Sequence, residues 1–263
     1  RHVMVMAHMS HAYPDGCSIY FTFAGTGDRD RAEASYDAAW SDAAAAAIAA
    51  GGTLSHHHGV GRSKAPMLGE ELGQGIAVNA ALRAAYYPGR RLTTANLAPD
   101  GPLEPGAPPA PGPRAPVVDP IDETVRVAGG HTLGDVAAAL AAHGLALELH
   151  ADAATTVADF IATGCRGAPD RYLDPVSQLV TGYVVALPNG HGLSVRPCPR
   201  RAVGPDLWGL FHGTEGRAGT IVEATLAARR PAHPLETPVA RQPPLADQEQ
   251  AWVERCIEAV RTL

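Results

Sequence analysis

Gly51-Gly52-Thr53-Leu54-Ser55-His56-His57-His58-Gly59-Val60-Gly61 is the stretch whose reading decides the fold. It follows Asp28 to Ala50, a run of helix formers with Tyr36, Trp40, Ala44 and Ile48 near one face and Asp30 placed to cap its start. The glycine pair ends that helix. Three consecutive imidazoles then stand in a glycine-bounded loop, where core packing does not call for them. Histidine has the side-chain pKa nearest neutrality, so such a cluster can donate, accept or hold an anion at working pH. A solvated polar turn and an adventitious metal site are the competing readings. The metal reading is the weakest, because adjacent residues point in diverging directions, and no metal ligands are assigned.

On the N-terminal side, Val3 to Ala7 and Cys17 to Phe23 predict two strands around a polar loop, His8 to Gly16, whose Pro14-Asp15-Gly16 signals a turn. On the C-terminal side, a second helix is expected from about Glu70 to Tyr86, leaving at Pro88-Gly89. Residues 1–98 thus read as one α+β unit. Prolines, glycines and alanines crowd residues 99–116 without apolar periodicity, as in a solvated, semi-extended linker. A second, β-rich unit follows over residues 117–231. Strands are expected at Thr124–Ala128, Leu145–Leu149, Val180–Leu187, Leu193–Arg196 and Gly219–Ala227. Helices are expected at Leu133–His143, capped by Thr132, at Thr156–Thr163 and at Pro205–Phe211. Residues 232–263 form a tail and a terminal helix, about Asp247 to Thr262, with Trp252, Cys256 and Val260 on its apolar side.

The 263 residues, 46% of them hydrophobic, suffice for real cores. A net charge of -6 with scattered basic residues leaves no footprint for nucleic acid. The four cysteines lack C-x-x-C spacing, which argues against zinc ribbons, iron–sulfur clusters and a disulfide framework and favours a reducing cytoplasm. No apolar run is long enough to span a bilayer, and the start lacks the order of a signal peptide. The chain enters Val3-Met4-Val5-Met6 directly after Arg1 and His2, which reads as a fragment or an atypical start.

Ala7-His8-Met9-Ser10-His11-Ala12-Tyr13, Gly16-Cys17-Ser18-Ile19-Tyr20-Phe21-Thr22-Phe23 and the Ser55–Gly61 loop together resemble the C-terminal domain of the FAD-linked oxidase superfamily, whose fold is of the vanillyl-alcohol-oxidase (PCMH) type. The triple histidine is the mark of its alkyl-transferring branch. The resemblance covers about residues 2–97 and implies a ferredoxin-like substrate domain. There Tyr20, His56, His57 and His58 would line the substrate side of a flavin as acid/base groups, with His11 nearby. The second unit is similar to the latter half of a PCMH-type FAD-binding domain. That likeness rests on Val127–Leu133, Ala154-Thr155-Thr156-Val157, Gly204–Leu207 and Gly213-Thr214-Glu215-Gly216-Arg217-Ala218-Gly219-Thr220-Ile221. It implies that Thr156, Val157, Gly213, Glu215, Gly216, Gly219 and Ile221 contact FAD. Arg62 and Lys64 are candidates for holding a substrate phosphate.

The sequence departs from that family in three ways. The substrate-type domain precedes the FAD-type unit, a reversed order. The glycine-rich pyrophosphate loop is missing. Ala158-Asp159 stands where the family has small glycines, and Val176-Ser177-Gln178 replaces an acidic pair. The expectation is a FAD-dependent oxidoreductase or alkyl-transferase-like chain acting on a small molecule. Its flavin site would be completed by a homo-oligomer or a second FAD-oxidase unit. The alternatives are a non-catalytic remnant kept as a binding or structural module, and an anion-binding domain that uses the histidine loop.

Overall fold

The computed structural model describes residues 3–13, 16–55, 58–87, 106–165, 179–198, 206–230 and 246–263. The architecture is mixed α and β, with a two-stranded and a five-stranded antiparallel sheet.

The first sheet is a hairpin of β1 (Val3–Tyr13) and β2 (Gly16–Gly25). β1 runs well past Ala7, through the stretch expected to be a loop, because the alternation continues: His8 pairs with Tyr20 and Ser10 with Ser18. The register breaks only between Ser10 and Tyr13, where His11 has φ 49°. Alternate residues share a face. Val3, Val5, Ala7, Met9, Ile19, Phe21 and Phe23 make one apolar face, on which Val5, Met9 and Phe21 are each more than half exposed. His8, Ser10, Ser18, Tyr20 and Thr22 lie on the other face.

Helix α1 (Arg29–Ala49) is capped by Asp28, whose carboxylate accepts the Arg31 N–H, so the cap falls two residues before the expected Asp30. None of its residues is buried, and Tyr36 stacks on Trp40 at 6.3 Å. After α2 (Gly61–Lys64) and a 3₁₀ turn (Ala65–Met67), the single helix expected over residues 70–86 is broken in two, α3 (Leu68–Leu72) and α4 (Gly75–Tyr86). Gly73, at φ 49°, breaks α3 from α4.

The five-stranded sheet comprises β3 (Val117–Asp119), β4 (Thr124–Ala128), β5 (Val180–Ala186), β6 (Gly192–Val195) and β7 (Thr220–Ala227), in spatial order β3-β4-β7-β5-β6. β3 is an addition to the expected set. Leu145–Leu149 is not a strand; only Ala146 bridges, to Arg229. Helices α5 (Leu133–Ala141) and α6 (Val157–Ala162) pack on this sheet, with Val136, Leu140, Phe160 and Ile161 buried among Val125, Val127, Val185 and Leu226. In place of a helix from Pro205 there is a 3₁₀ turn, Trp208–Phe211. Its Trp208 carbonyl accepts the Tyr183 hydroxyl, while the Trp208 indole N–H donates to the Val180 carbonyl at 2.9 Å. Both ring polar groups are thereby satisfied inside the core.

Residues 106–116 are irregular but lie against the sheet. The Gly192 N–H donates to the Ala107 carbonyl, and a Cβ on Gly112 would lie 2.7 Å from Ala128 Cα. Without a side chain, Gly112 lets this irregular stretch run close over β4.

The terminal helix α7 (Asp247–Arg261) buries Ile257 and Val260 in the main core and packs on α4. No helix among the described residues is long and apolar enough to cross a membrane.

At the α4–α7 contact the Tyr86 hydroxyl donates to the Trp252 carbonyl at 2.7 Å and meets Cys256 Sγ at 3.0 Å. Burial, then the contact with Cys256, pushes the Tyr86 phenol well above the ordinary tyrosine value, with Arg255 opposing. A raised folded-state pKa leaves stability intact below the unfolded value, about pH 10, and removes it as pH rises further. Thermal midpoints should therefore fall between pH 9 and pH 11 in the native chain, and fall less in Tyr86→Phe. Parallel alkaline profiles for the two proteins would show that another group carries the effect.

Candidate active site

The polar face of the hairpin meets the histidine loop at one point. Tyr20 on β2 and His58 in the loop are joined by a 3.3 Å hydrogen bond between Oη and Nε2, with ring centroids 5.8 Å apart. His8 stands opposite Tyr20 in the ladder, its ring 6.4 Å away. His11 lies at the irregular end of β1, and its Nδ1 shares a 2.9 Å hydrogen bond with Ser10 Oγ. His56 and His57, and the Arg62 side chain, lie outside the described residues. Tyr20 is half-buried and His58 exposed, so the pair is packed on one side and open on the other.

The loop carrying His58 is held at both ends. On the entry side, the Thr53 hydroxyl and the Leu54 N–H donate to Glu71, at 2.5 and 3.2 Å. On the exit side, the Ser55 hydroxyl donates to the Gly59 carbonyl at 2.6 Å, and buried Val60 joins Leu68 and Ile76 in a small core. Gly59 and Gly61 both have positive φ, 75° and 64°, which lets the chain turn out of the loop into α2. The Trp40 indole N–H donates to the Ser63 carbonyl and ties α1 to α2. Lys64 faces the Glu71 charge; burial lowers its ammonium pKa, and Glu71 partly offsets this.

A phenol hydrogen-bonded to an imidazole can relay a proton. A phenol hydroxyl both donates and accepts, and a neutral imidazole carries one donor and one acceptor nitrogen, so one can give what the other takes. A grooved surface lined by Val3, Phe23, Asp28, Arg31, Tyr36 and Trp40 lies on the apolar face, across the sheet from Tyr20.

The segments expected to hold FAD are built differently. In the glycine turn, the N–H groups of Gly213, Glu215, Arg217 and Gly219 donate to the carbonyls of Ile161, Ala162, Thr214 and Gly216. Glu215 and Gly216 are both left-handed, at φ 54° and 74°, yet this turn closes on α6. Gly219 serves packing, since a Cβ there would lie 2.5 Å from Val185 Cγ1. Ile221 is a buried residue of β7. Thr156 caps α6: its hydroxyl accepts the Asp159 N–H at 3.1 Å and donates to the Asp159 carboxylate at 2.7 Å. Val157 is buried, and its N–H donates to the His131 carbonyl. A pyrophosphate needs converging free donors, and the N–H groups of Gly213, Glu215, Arg217 and Gly219 are engaged within the protein and do not offer them.

Two residues that hold the histidine loop, Glu71 and Arg196, carried no local signal in the sequence. They are far apart in the chain and meet only in the fold: Arg196 Nη2 lies 3.4 Å from Glu71 Oε1.

Comparison with known proteins places this hairpin and loop. Residues 1–95 match the family described as FAD linked oxidases, C-terminal domain, and through them the chain is related to the FAD-linked oxidases. Alkyldihydroxyacetonephosphate synthase of Dictyostelium discoideum is 38% identical over 64 residues, which is 24% of this chain and 10% of that protein. Two solved structures of alkyldihydroxyacetonephosphate synthase align at 21% and 22% identity, each with a TM-score of 0.37, over 43% of this chain and 20% and 21% of theirs. The chain thus spans about a tenth of the length of the curated relative and about a fifth of the solved structures.

Proposed function

We propose that the hairpin and histidine loop form the substrate-side wall of a flavin-dependent active site of the alkyldihydroxyacetonephosphate-synthase type. The Tyr20–His58 hydrogen bond is the observation that carries this reading, because it joins a β2 residue to the histidine loop on the polar face of the sheet. In this reading Tyr20 takes or gives the proton at its Oη, His58 passes it at Nε2, and His56 and His57 add acid/base or electrostatic support. His11, at the hairpin end, and His8, across the ladder from Tyr20, border the small-molecule substrate.

FAD, when bound, would supply the redox chemistry. The spent donors of Gly213, Glu215, Arg217 and Gly219 support its coming from outside residues 117–231: from a longer parent chain, a second copy, or a separate FAD-oxidase unit. The same spent donors favour a second reading, in which the chain is a non-catalytic module derived from a FAD-linked oxidase.

Flavin retention separates the readings. The purified chain is mixed with FAD and desalted, and bound flavin is read by absorption across the fractions of a sizing column. The wall reading expects flavin to wash off the monomer and to stay only with an assembly of higher mass. Stoichiometric flavin on the monomer would overturn the donor argument. A cooperatively folded chain without flavin in any fraction would remove the second copy as the source and leave a longer parent chain, a separate FAD-oxidase unit or the non-catalytic module.

A further inference from the structure

We infer that Glu71 is the positioning residue of the histidine loop, and that Arg196 makes the loop's geometry depend on the five-stranded sheet. This rests on the reading of His58 as part of the working face. The Glu71 side chain is only 5% exposed, and both its oxygens are engaged. Oε1 accepts the Thr53 hydroxyl and pairs with Arg196 Nη2, and Oε2 accepts the Leu54 N–H. Arg196 also donates from Nη1 to the Gly52 carbonyl at 2.6 Å. Three successive residues, Gly52, Thr53 and Leu54, are thus fixed by one carboxylate and one guanidinium immediately before the loop.

The two anchors come from different parts of the molecule. Glu71 belongs to α3, and Arg196 directly follows β6, one of the two edge strands of the larger sheet. A planar guanidinium can hold a carbonyl and a carboxylate at once, which an ammonium does only as a point charge. Ser55, which follows Leu54, donates to the Gly59 carbonyl, so the clamped residues are tied directly to the neighbour of His58. On the other side the Gly52 N–H is bonded to the Ala47 carbonyl of α1. The position of His58 against Tyr20 is therefore set partly by a residue 144 positions away in sequence from Gly52.

The test reads the loop itself and needs no turnover. In Arg196→Ala, hydrogen exchange at the Leu54 amide should speed up about tenfold, the scale expected for losing support to one charge-assisted hydrogen bond, although Arg196 does not touch that N–H. The His58 ring resonances should move in Arg196→Ala and in Glu71→Gln, and the double variant should add little to either, as for one connected unit. Arg196→Lys should fall between wild type and alanine, and it keeps the test available if the alanine variant does not fold. Arg217→Gln, which breaks an exposed pair with Glu254, serves as a control that should leave His58 unmoved. Folded Glu71 and Arg196 variants with wild-type Leu54 exchange and His58 resonances would overturn the inference. If exchange and resonances respond while Tyr20→Phe leaves turnover of a flavin-loaded assembly unchanged, the clamp stands and the proposed function fails.

Discussion

Gly129→Ala should destabilise the chain by about 3 kcal/mol, the upper part of the range for forcing atoms into a packed site. An added Cβ would lie 2.2 Å from the Ile221 carbonyl oxygen and 3.2 Å from Ala158 Cβ. Backbone on one side and a helix on the other leave it nowhere to go. The Gly129 N–H donates to the Val222 carbonyl, and its own carbonyl accepts from Ala158 N–H, so relief would break the junction of β4, β7 and α6. At roughly 2–4 °C per kcal/mol for a chain of this size, the thermal midpoint should drop by about 10 °C. Gly130→Ala is the internal comparison, because a Cβ there meets nothing within 4 Å. Equal midpoints for the two variants would mean that the close approach at Gly129 is not tight in solution.

Tyr20→Phe should lower turnover by about 10²–10⁴-fold in any assembly that holds the flavin, the usual size of a lost general acid/base group. The substitution removes only Oη, so the ring contacts with His8 and His58 remain. Stability should change little, since the Tyr20–His58 bond lies at an exposed position. The measurement is steady-state turnover alongside thermal unfolding of the same preparation. A variant that keeps full turnover would remove Tyr20 from the proton path. One that loses turnover and fold together would show that the hydroxyl is structural.

The elements with strong local signals were legible in the sequence. Thr132 was readable as an N-cap, and α5 starts there with a complete capping box: Asp135 accepts the Thr132 N–H while Thr132 accepts the Asp135 N–H. The same spacing recurs at Thr156 and Asp159, where it assigns both residues to capping α6. That Thr-x-x-Asp pattern was the available signal for the capping role of Thr156. The extension of β1 was also available, since Met4, Met6, His8 and Ser10 keep a period of two beyond the point where polar residues suggested a loop. The Glu71–Arg196 pair was not legible, because no local period links residues brought together only by tertiary packing. Nor was the engagement of the glycine turn: its composition permits an anion nest, and only the fold decides whether its N–H groups face a ligand or α6.

The place of β7 fixes when this protein can acquire its shape. β3 with β4 and β5 with β6 are local antiparallel pairs, but the strand between them is the last of the sheet in sequence. During synthesis each hairpin must wait with an open edge until residues 220–227 have emerged, and the pairing of Thr124 with Ala227 closes a long loop. A ribosome-bound chain ending before Thr220 lacks the strand that joins the two pairs, so assembly of this sheet is a late event governed by non-local pairing.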